Sequence, residues 1–335
     1  MHAGRRYTLP QFLLWTRHCI YPLAAYATAV VVLYELAGLQ WVGIPWAVVA
    51  VLGTATAFIV SFKNIQTYNR TWEARQVWSD IVSASRGWGA MSRDFVPDAR
   101  KAREMLDRHL AWLTALRYQM REPRPWELTD KPYNVEYRRF YSIPEREVPL
   151  EDELARYLSV GELKRVLSAK NRATQVAALQ SAVVKDLFAR QEIVVLQFIH
   201  LQREIKELFV LQSRSERIKD FPYPRQFATV STLFVTLFCV FLPLGLLREF
   251  DRLNEGIEGL MKGHMVWLAI PFSVVISWVF TSLDQVGEGT SNPFEGGSND
   301  VPISQLCRKA EIDMLEMIGE PDLPAALKPQ NDVVL

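Results

Sequence analysis

Residues 49–78 read VAVLGTATAFIVSFKNIQTYNRTWEARQVW. The stretch has no proline, and its one glycine, Gly53, stands near the start. A single helix can therefore run through all of it. Its first half is apolar and its second half is rich in Arg, Asn and Glu. Unpaired charge is costly inside hydrocarbon, so a helix that is greasy at one end and charged at the other has to leave a membrane. That reading makes the stretch the axis of the fold: a helix that starts in a bilayer and descends into a polar vestibule.

The rest of the chain is segregated in the same way. Residues 36–62, 227–247 and 265–283 contain no Asp, Glu, Lys or Arg, and residues 20–34 are charge-free up to Glu35. Uncharged apolar runs of about 18 residues or more are candidate membrane spans. Two such runs fit inside a large soluble core; three or four, in two clusters, argue against one. The net charge is +1 on 335 residues, so the overall balance gives no sign of a nucleic-acid partner.

Five segments follow. Residues 1–19 alternate Arg5, Arg6, Arg17 and His18 with Leu9, Phe12, Leu13, Leu14 and Trp15, the pattern of an interfacial lead-in. No secretory signal pattern is visible there. Residues 20–62 form a first hairpin of two spans, 20–39 and 45–62, turning at Gly38, Gly43 and Pro45 with Trp41 and Trp46 in an aromatic belt. Residues 63–226 have no span and carry 29 Lys and Arg against 22 Asp and Glu, a net of +7. Lys63, Arg70, Arg75 and Arg86 follow the second span directly, which places this block and the N-terminus in the cytoplasm. Helical spacing recurs in it at Ala102, Leu106, Leu113, Leu116 and Met120, and at Val176, Leu179, Val183 and Leu187. The proline-rich stretch 122–150 reads as an irregular loop.

Residues 227–283 form the second hairpin, whose link has a net charge of −1 and suits the outside. Pro243 and Pro271 are expected to kink or break these spans. The tail, 284–335, has ten acidic and three basic residues and is expected to lie on the basic cytosolic helices. Ile303, Leu306, Ala310, Met314 and Ile318 share a helical face there, with Gly319 as the stop. The class is an all-α membrane protein.

Catalytic chemistry has little support. The five histidines show no paired spacing, and Cys19, Cys239 and Cys307 are scattered. Neither a zinc-type HExxH nor a phosphate-cradling glycine loop is present. An enzyme, a metal and a cofactor are therefore not expected. On the second span, Thr54, Phe58 and Phe62 are four apart and share a face, with the small residues Gly53 and Ala57 behind them allowing close helix approach. Periodicity alone favours packing of the two rings against the first span. The functional alternative brings several copies together as a constriction that gates by dewetting. Below it, Asn64, Asn69, Arg70 and Glu73 either brace the helix, with Arg70 and Glu73 as an intrahelical pair, or line a vestibule.

Four motifs then point to a family. FKNIQTYNRTWEARQVWSDIV (62–82), FPYPRQF (221–227), CVFLPLGL (239–246) and NPFEGGSNDVPI (292–303) stand in the order and spacing of bestrophins, and the chain resembles the bacterial branch of that family over about residues 10–320. The resemblance implies a homopentameric channel for small monovalent ions in a bacterial inner membrane, with both termini cytoplasmic. Each subunit would supply four transmembrane helices and a helical cytosolic domain. The second helices would line the pore, with a neck at Thr54, Phe58 and Phe62, and Thr54 would make a wider or wetter ring than the usual bulky aliphatic. A cytosolic aperture falls on Leu196 or Ile199. The acidic calcium clasp of animal bestrophins is replaced by Glu295, Gly296, Gly297, Ser298, Asn299 and Asp300, too few carboxylates for calcium. Asn299 and Asp300 are instead expected to cap the tail helix. Chloride is the preferred ion, with a sodium channel of the same fold as the alternative. A non-conducting scaffold or sensor is the rival from another class. A coupled transporter would need an ionisable group at mid-membrane, which the uncharged runs lack. The expected partners are further copies of the chain, membrane lipid and monovalent ions.

Overall fold

A computed structural model describes residues 1–335 apart from 257 and 260. Among the described residues regular structure is helical, with two isolated β-bridges that join His2 and Gln330 to Val333. Helix α1 (Leu9–Glu35) starts at Thr8, whose N–H donates to Gln11 Oε1 at 2.8 Å. Pro10 sits in the first turn, where its missing N–H costs nothing. The lead-in and the first span are thus one helix, and Pro22 lies inside it without ending it. After a 3₁₀ turn, α2 (Trp46–Phe95) runs for 50 residues, roughly 75 Å at 1.5 Å per residue. Pro97 follows its end, and Asp98 caps α3 (Ala99–Arg121) by accepting from the Arg100 N–H at 2.9 Å.

The stretch expected as an irregular loop carries short helices instead: α4 (Pro132–Tyr137) and α5 (Pro144–Glu147), with α6 (Leu150–Leu154) directly after it. Pro132 and Pro144 open the first two, so these prolines start helices rather than prevent them. Helices α7 (Val160–Leu167), α8 (Arg172–Ala189) and α9 (Val195–Asp220) follow. Then come α10 (Arg225–Arg252), α11 (Ala269–Gly289) and α12 (Ile303–Met317). Pro243 is carried within α10, and Pro271 falls in the first turn of α11, so neither breaks its helix. Gly319, at φ +75°, supplies the left-handed turn after α12.

Helix α2 joins two separate cores. Its lower half buries Ala74, Trp78, Ile81 and Trp88 with α3, α8, α9 and α12, around Trp112, Met105, Leu106 and Leu116. Its upper half joins an apolar block in which Val49 meets Phe238, Leu242 and Leu246 of α10 and Val31 of α1. Close approach of α2 and α10 depends on two glycines. A Cβ on Gly53 would stand 2.7 Å from the Phe238 ring, and one on Gly245 would stand 2.6 Å from Val49. Ala57 takes no part in that contact and lies on the open side.

Among the described residues, three helical segments are long and apolar enough to cross a membrane by length and composition: Gln40–Phe95, Arg225–Gly256 and Met265–Gly289. Helix α1 is not among them; Tyr21, Pro22, Tyr26 and Glu35 dilute its apolar run. Only 22%, 50% and 28% of the three apolar windows is buried within the chain. Most of that surface is left for lipid or for other copies, because water would not tolerate it.

Candidate functional site

The unpartnered face of α2 carries the three residues singled out from sequence. Phe58 is 74% exposed and Phe62 49%, and Thr54 is exposed beside them. The Thr54 hydroxyl donates to the Ala50 carbonyl at 2.9 Å, so its polar group is satisfied within the helix. Phe58 has no aromatic partner among the described residues, whereas Phe62 tilts against Phe227 of α10 with ring centres 5.9 Å apart. Packing against the first span, the reading that periodicity favoured, does not occur: α1 lies on α11 and α10, away from this face of α2.

Directly below, an open hollow of about 460 Å³ separates α2 from the turn between α9 and α10. Gln66, Asn69, Arg70 and Glu73 line it from α2, and Tyr223 and Phe227 from the other wall. Arg70 donates to the carbonyls of Ile218 and Phe221, at the end of α9. It thereby satisfies acceptors that a helix C-terminus leaves open. Glu73 pairs with Arg217 of α9 instead of with Arg70. The expected intrahelical pair is thus replaced by two cross-links to α9, because both side chains lean toward that neighbour rather than along their own helix. Asn69 stays exposed in the hollow. Asn64 does not, since its amide donates to the Leu283 carbonyl at 3.0 Å and packs against Gly287 of α11.

The sequence reading missed the ion pair beside it. Lys63 Nζ lies 2.8 Å from Asp284 Oδ1, with both side chains buried. Ser231 and Thr232 of α10 donate to the same carboxylate at 2.7 and 3.1 Å. Three helices meet at this cluster. A signal was present: Lys63 and Asp284 are the first charges after the uncharged runs 36–62 and 265–283.

Helix α9 returns antiparallel along the lower half of α2, as the Arg217–Glu73 and Arg214–Asp80 pairs show. Its first turn therefore lies beside the far end of α2. Leu196 and Ile199 stand there, 65% and 52% exposed, next to exposed Val194 and Val195. From Phe62 to that level α2 spans roughly 50 Å at 1.5 Å per residue. The neck and aperture candidates are thus at opposite ends of one helix pair, and the chain does not bring them together.

A profile of the bacterial and fungal bestrophin proteins matches residues 17–316. The chain belongs to that bestrophin family. Among its relatives, the voltage-dependent anion channel-forming protein YneE of Escherichia coli K12 is 27% identical over 282 residues, covering 84% of this chain and 80% of that protein. The voltage-dependent anion channel-forming protein mll4386 of Mesorhizobium japonicum is 24% identical over 274 residues, covering 80% and 74%. The fold is similar to the crystal structure of a bestrophin homologue from Klebsiella pneumoniae, with a TM-score of 0.75, 20% identity, and 90% and 98% of the two chains covered.

In this bestrophin the NPFEGGSND loop is a braced turn. Asp300 does not cap α12, whose preceding residue is Pro302. It accepts from the backbone N–H groups of Phe294 and Gly296 at 2.7 and 2.8 Å and pairs with Arg121 at 2.8 Å, all buried. Asn299 accepts instead from the Tyr7 hydroxyl at 2.9 Å. Glu295 is buried and makes no ion pair among the described residues; the Leu128 N–H donates to it at 3.2 Å. Burial pushes its carboxyl up to about 8, and the carboxylates of Asp300 and Glu127 outside hydrogen-bond reach add to the rise.

The folded state therefore holds a proton that the unfolded chain releases above its ordinary value of 4.5. Stability from this group is complete below that value and is lost as pH climbs to about 8, with a slope of about 1.4 kcal/mol per pH unit. Glu295→Gln keeps the acceptor and cannot ionise. Its melting temperature is expected to fall less than that of the parent between pH 5 and 8. Buried His109, held down to about 3, titrates in both proteins and cancels in the comparison. Parallel melting curves would show that Glu295 does not keep its proton.

Proposed function

We propose that five copies of this bestrophin surround a pore and pass small monovalent anions passively down their gradient. The observation that carries the reading is the unpartnered stripe of α2. Thr54, Phe58 and Phe62 are apolar or internally satisfied, and Gln66 and Asn69 continue the line into a polar hollow. Bulky apolar groups left bare above amide groups left bare suit a dry constriction that opens into a wet vestibule. In this reading α1, the upper half of α2, α10 and α11 are the four membrane spans. The helices between α2 and α10 are a cytosolic domain, and the tail lies on it. The excess of Lys and Arg directly after the second span supports cytoplasmic termini and an inner-membrane setting.

Chloride is favoured for three reasons. Two relatives are named as anion channel-forming proteins. The carboxylates of Glu73 and Asp80 are matched by Arg217 and Arg214 of α9. A second hollow on α9 is lined by Lys206, Arg214 and Arg217. Neck, aperture and vestibule roles fall to Thr54, Phe58 and Phe62, to Leu196 and Ile199, and to Asn69 with Gln66. Arg70, Glu73 and Asn64 hold α2 to its neighbours.

Planar-bilayer recordings test the ion. With sodium chloride on one side and sodium gluconate on the other, reversal is expected to follow the chloride gradient, and replacing sodium by choline is expected to leave it in place. A reversal that follows sodium and ignores chloride makes this a cation channel of the same fold. No flux from a pentamer of correct native mass, in the parent and in Phe58→Ala alike, favours the scaffold reading. A stable monomer removes the central pore.

A further inference from the structure

We propose that a cleft between the start of α1 and the end of α11 binds one anionic phospholipid per subunit, from the leaflet facing the polar helical block. The inference rests on the membrane reading above and concerns the outer side of the subunit, away from the α2 stripe. Helix α11 displays an exposed apolar row, Phe272, Val275, Val279, Leu283 and Val286. The row runs into a hollow of about 180 Å³ walled by Phe12 and Trp278. Phe12 and Val286 are shared with a more enclosed cavity of about 120 Å³, lined further by the rings of Tyr7, Trp15 and Tyr137. The two spaces share these walls as one cleft, whose membrane end is apolar apart from the Ser282 hydroxyl.

Its other end is polar and rich in hydrogen-bond donors. Gln11 and Asn299 face the enclosed cavity. Their side-chain oxygens are taken by the Thr8 N–H and the Tyr7 hydroxyl. Their amide nitrogens have no partner among the described residues, so the rim offers two amide donors beside the hydroxyls of Thr290 and Ser298, which also line it. Ester carbonyls and phosphate oxygens accept and do not donate, which is the complementary set. Arg5 and Arg6, exposed and immediately before Tyr7, extend the rim with cationic charge, against which Asp332 near Gly4 sets one carboxylate. The cleft therefore presents an apolar bed, aromatic rings and amide donors, with two exposed arginines next in sequence to its lining residue Tyr7. That set matches the acyl chain, glycerol ester and phosphate of a phospholipid, and it commits the site to an anionic head.

Gly289 provides a test that leaves the fold alone. It lines the enclosed cavity, its φ is not in the left-handed region, and a Cβ there would meet no atom within 4 Å. A leucine side chain at that position would project into the cleft. The experiment is native mass spectrometry of the detergent-extracted full chain, equilibrated with equal amounts of phosphatidylglycerol and phosphatidylcholine. The parent is expected to retain one phosphatidylglycerol per subunit in preference to phosphatidylcholine. Gly289→Leu is expected to lose that lipid at an unchanged subunit count. Arg5→Gln with Arg6→Gln is expected to cut the preference by roughly fivefold per arginine, since each basic group near an anionic surface is worth about that factor. Equal retention of the two lipids by the parent overturns the proposal, and so does retention by Gly289→Leu at the parent level. Loss of the oligomer in Gly289→Leu, with no lipid on the parent, would give the cleft to a neighbouring subunit and also overturn it. A chain that needs no detergent would instead overturn the membrane reading itself.

Discussion

Phe58→Ala is expected to raise anion flux through reconstituted channels at least tenfold while leaving assembly and melting almost unchanged. The two halves of that expectation have different causes. Phe58 makes no aromatic contact among the described residues and is 74% exposed, so truncation leaves no buried cavity. Substitutions at such positions shift stability by about 0.5 kcal/mol or less. Flux depends on something else, the free energy of bringing a hydrated ion past a ring of apolar edges. A barrier lowered by only about 1.4 kcal/mol gives a factor of ten in rate. In the proposed pentamer, removing five rings at one level would widen the passage and let water stay in it.

Phe62→Ala is expected to act in the same direction with a larger penalty to stability, because it also loses the Phe227 ring 5.9 Å away. The double variant should exceed either single one. Leu33→Ala is the control. Leu33 is an exposed apolar residue on α1, and α1 packs on α10 and α11, so its truncation should leave flux within twofold. Liposome chloride efflux at matched protein density reads all four. Unchanged efflux from an intact pentameric Phe58→Ala would remove Phe58 from the neck. Efflux rising equally in Leu33→Ala would mean that the variants merely loosen the fold.

Helix identity was legible where one physical term dominated. The absence of proline from 49–78 allowed one continuous helix, and α2 is continuous over Trp46–Phe95. Spacing at 3.6 residues marked the buried faces of α3 and α8, because their apolar side chains have one core to face. Prolines were harder to read. Pro132 and Pro144 signalled a loop, yet a proline costs nothing in a first helical turn, and composition does not say which turn it will occupy. The same ambiguity hid the ordinary placement of Pro271.

Side-chain partners across the chain were mostly beyond reach. Arg70 and Glu73, three apart, satisfied a local rule worth only about 0.2–0.5 kcal/mol on a helix surface. The neighbouring α9 offered both of them something stronger, two carbonyls for Arg70 and Arg217 for Glu73. Asp300 looked like a cap because it stands just before a helix. Arg121, 179 residues earlier, and the loop's own N–H groups take its oxygens instead. For the α2 stripe, periodicity grouped Thr54, Phe58 and Phe62 on one face but held no information on what that face meets. In the fold α1 packs chiefly on α11 and α10, and Phe58 and Phe62 stay exposed.

Breaking the Lys63–Asp284 pair is expected to destabilise the chain by several kcal/mol, on the order of 3–5. Both side chains are buried, their charged atoms are 2.8 Å apart, and the carboxylate also accepts from Ser231 and Thr232. Forming such a pair need not add net stability, because desolvation offsets much of the attraction. Removing one partner is another matter: it leaves the other as an uncompensated charge in a low-dielectric site, at a cost of about 3–5 kcal/mol. For a chain of this size that is a fall in melting temperature on the order of 10 °C. Lys63→Met strands Asp284, and Asp284→Leu strands Lys63, so either should fall by about that much. The double variant should recover most of the loss, since the hydroxyls of Ser231 and Thr232 can turn to carbonyls of their own helix and two apolar side chains can fill the space. Non-additivity is the signature, and simple packing residues would give additive losses. The location extends the consequence to the pore. Lys63 follows Phe62 directly, and Asn64 is held by the Leu283 carbonyl of α11. Loosening α2 from α10 and α11 at this level would free the base of the proposed neck, so the single variants should also conduct less uniformly from channel to channel than the double. Single variants that melt with the parent would show that the pair is hydrated in the assembled protein, and the anchoring role would fall with it.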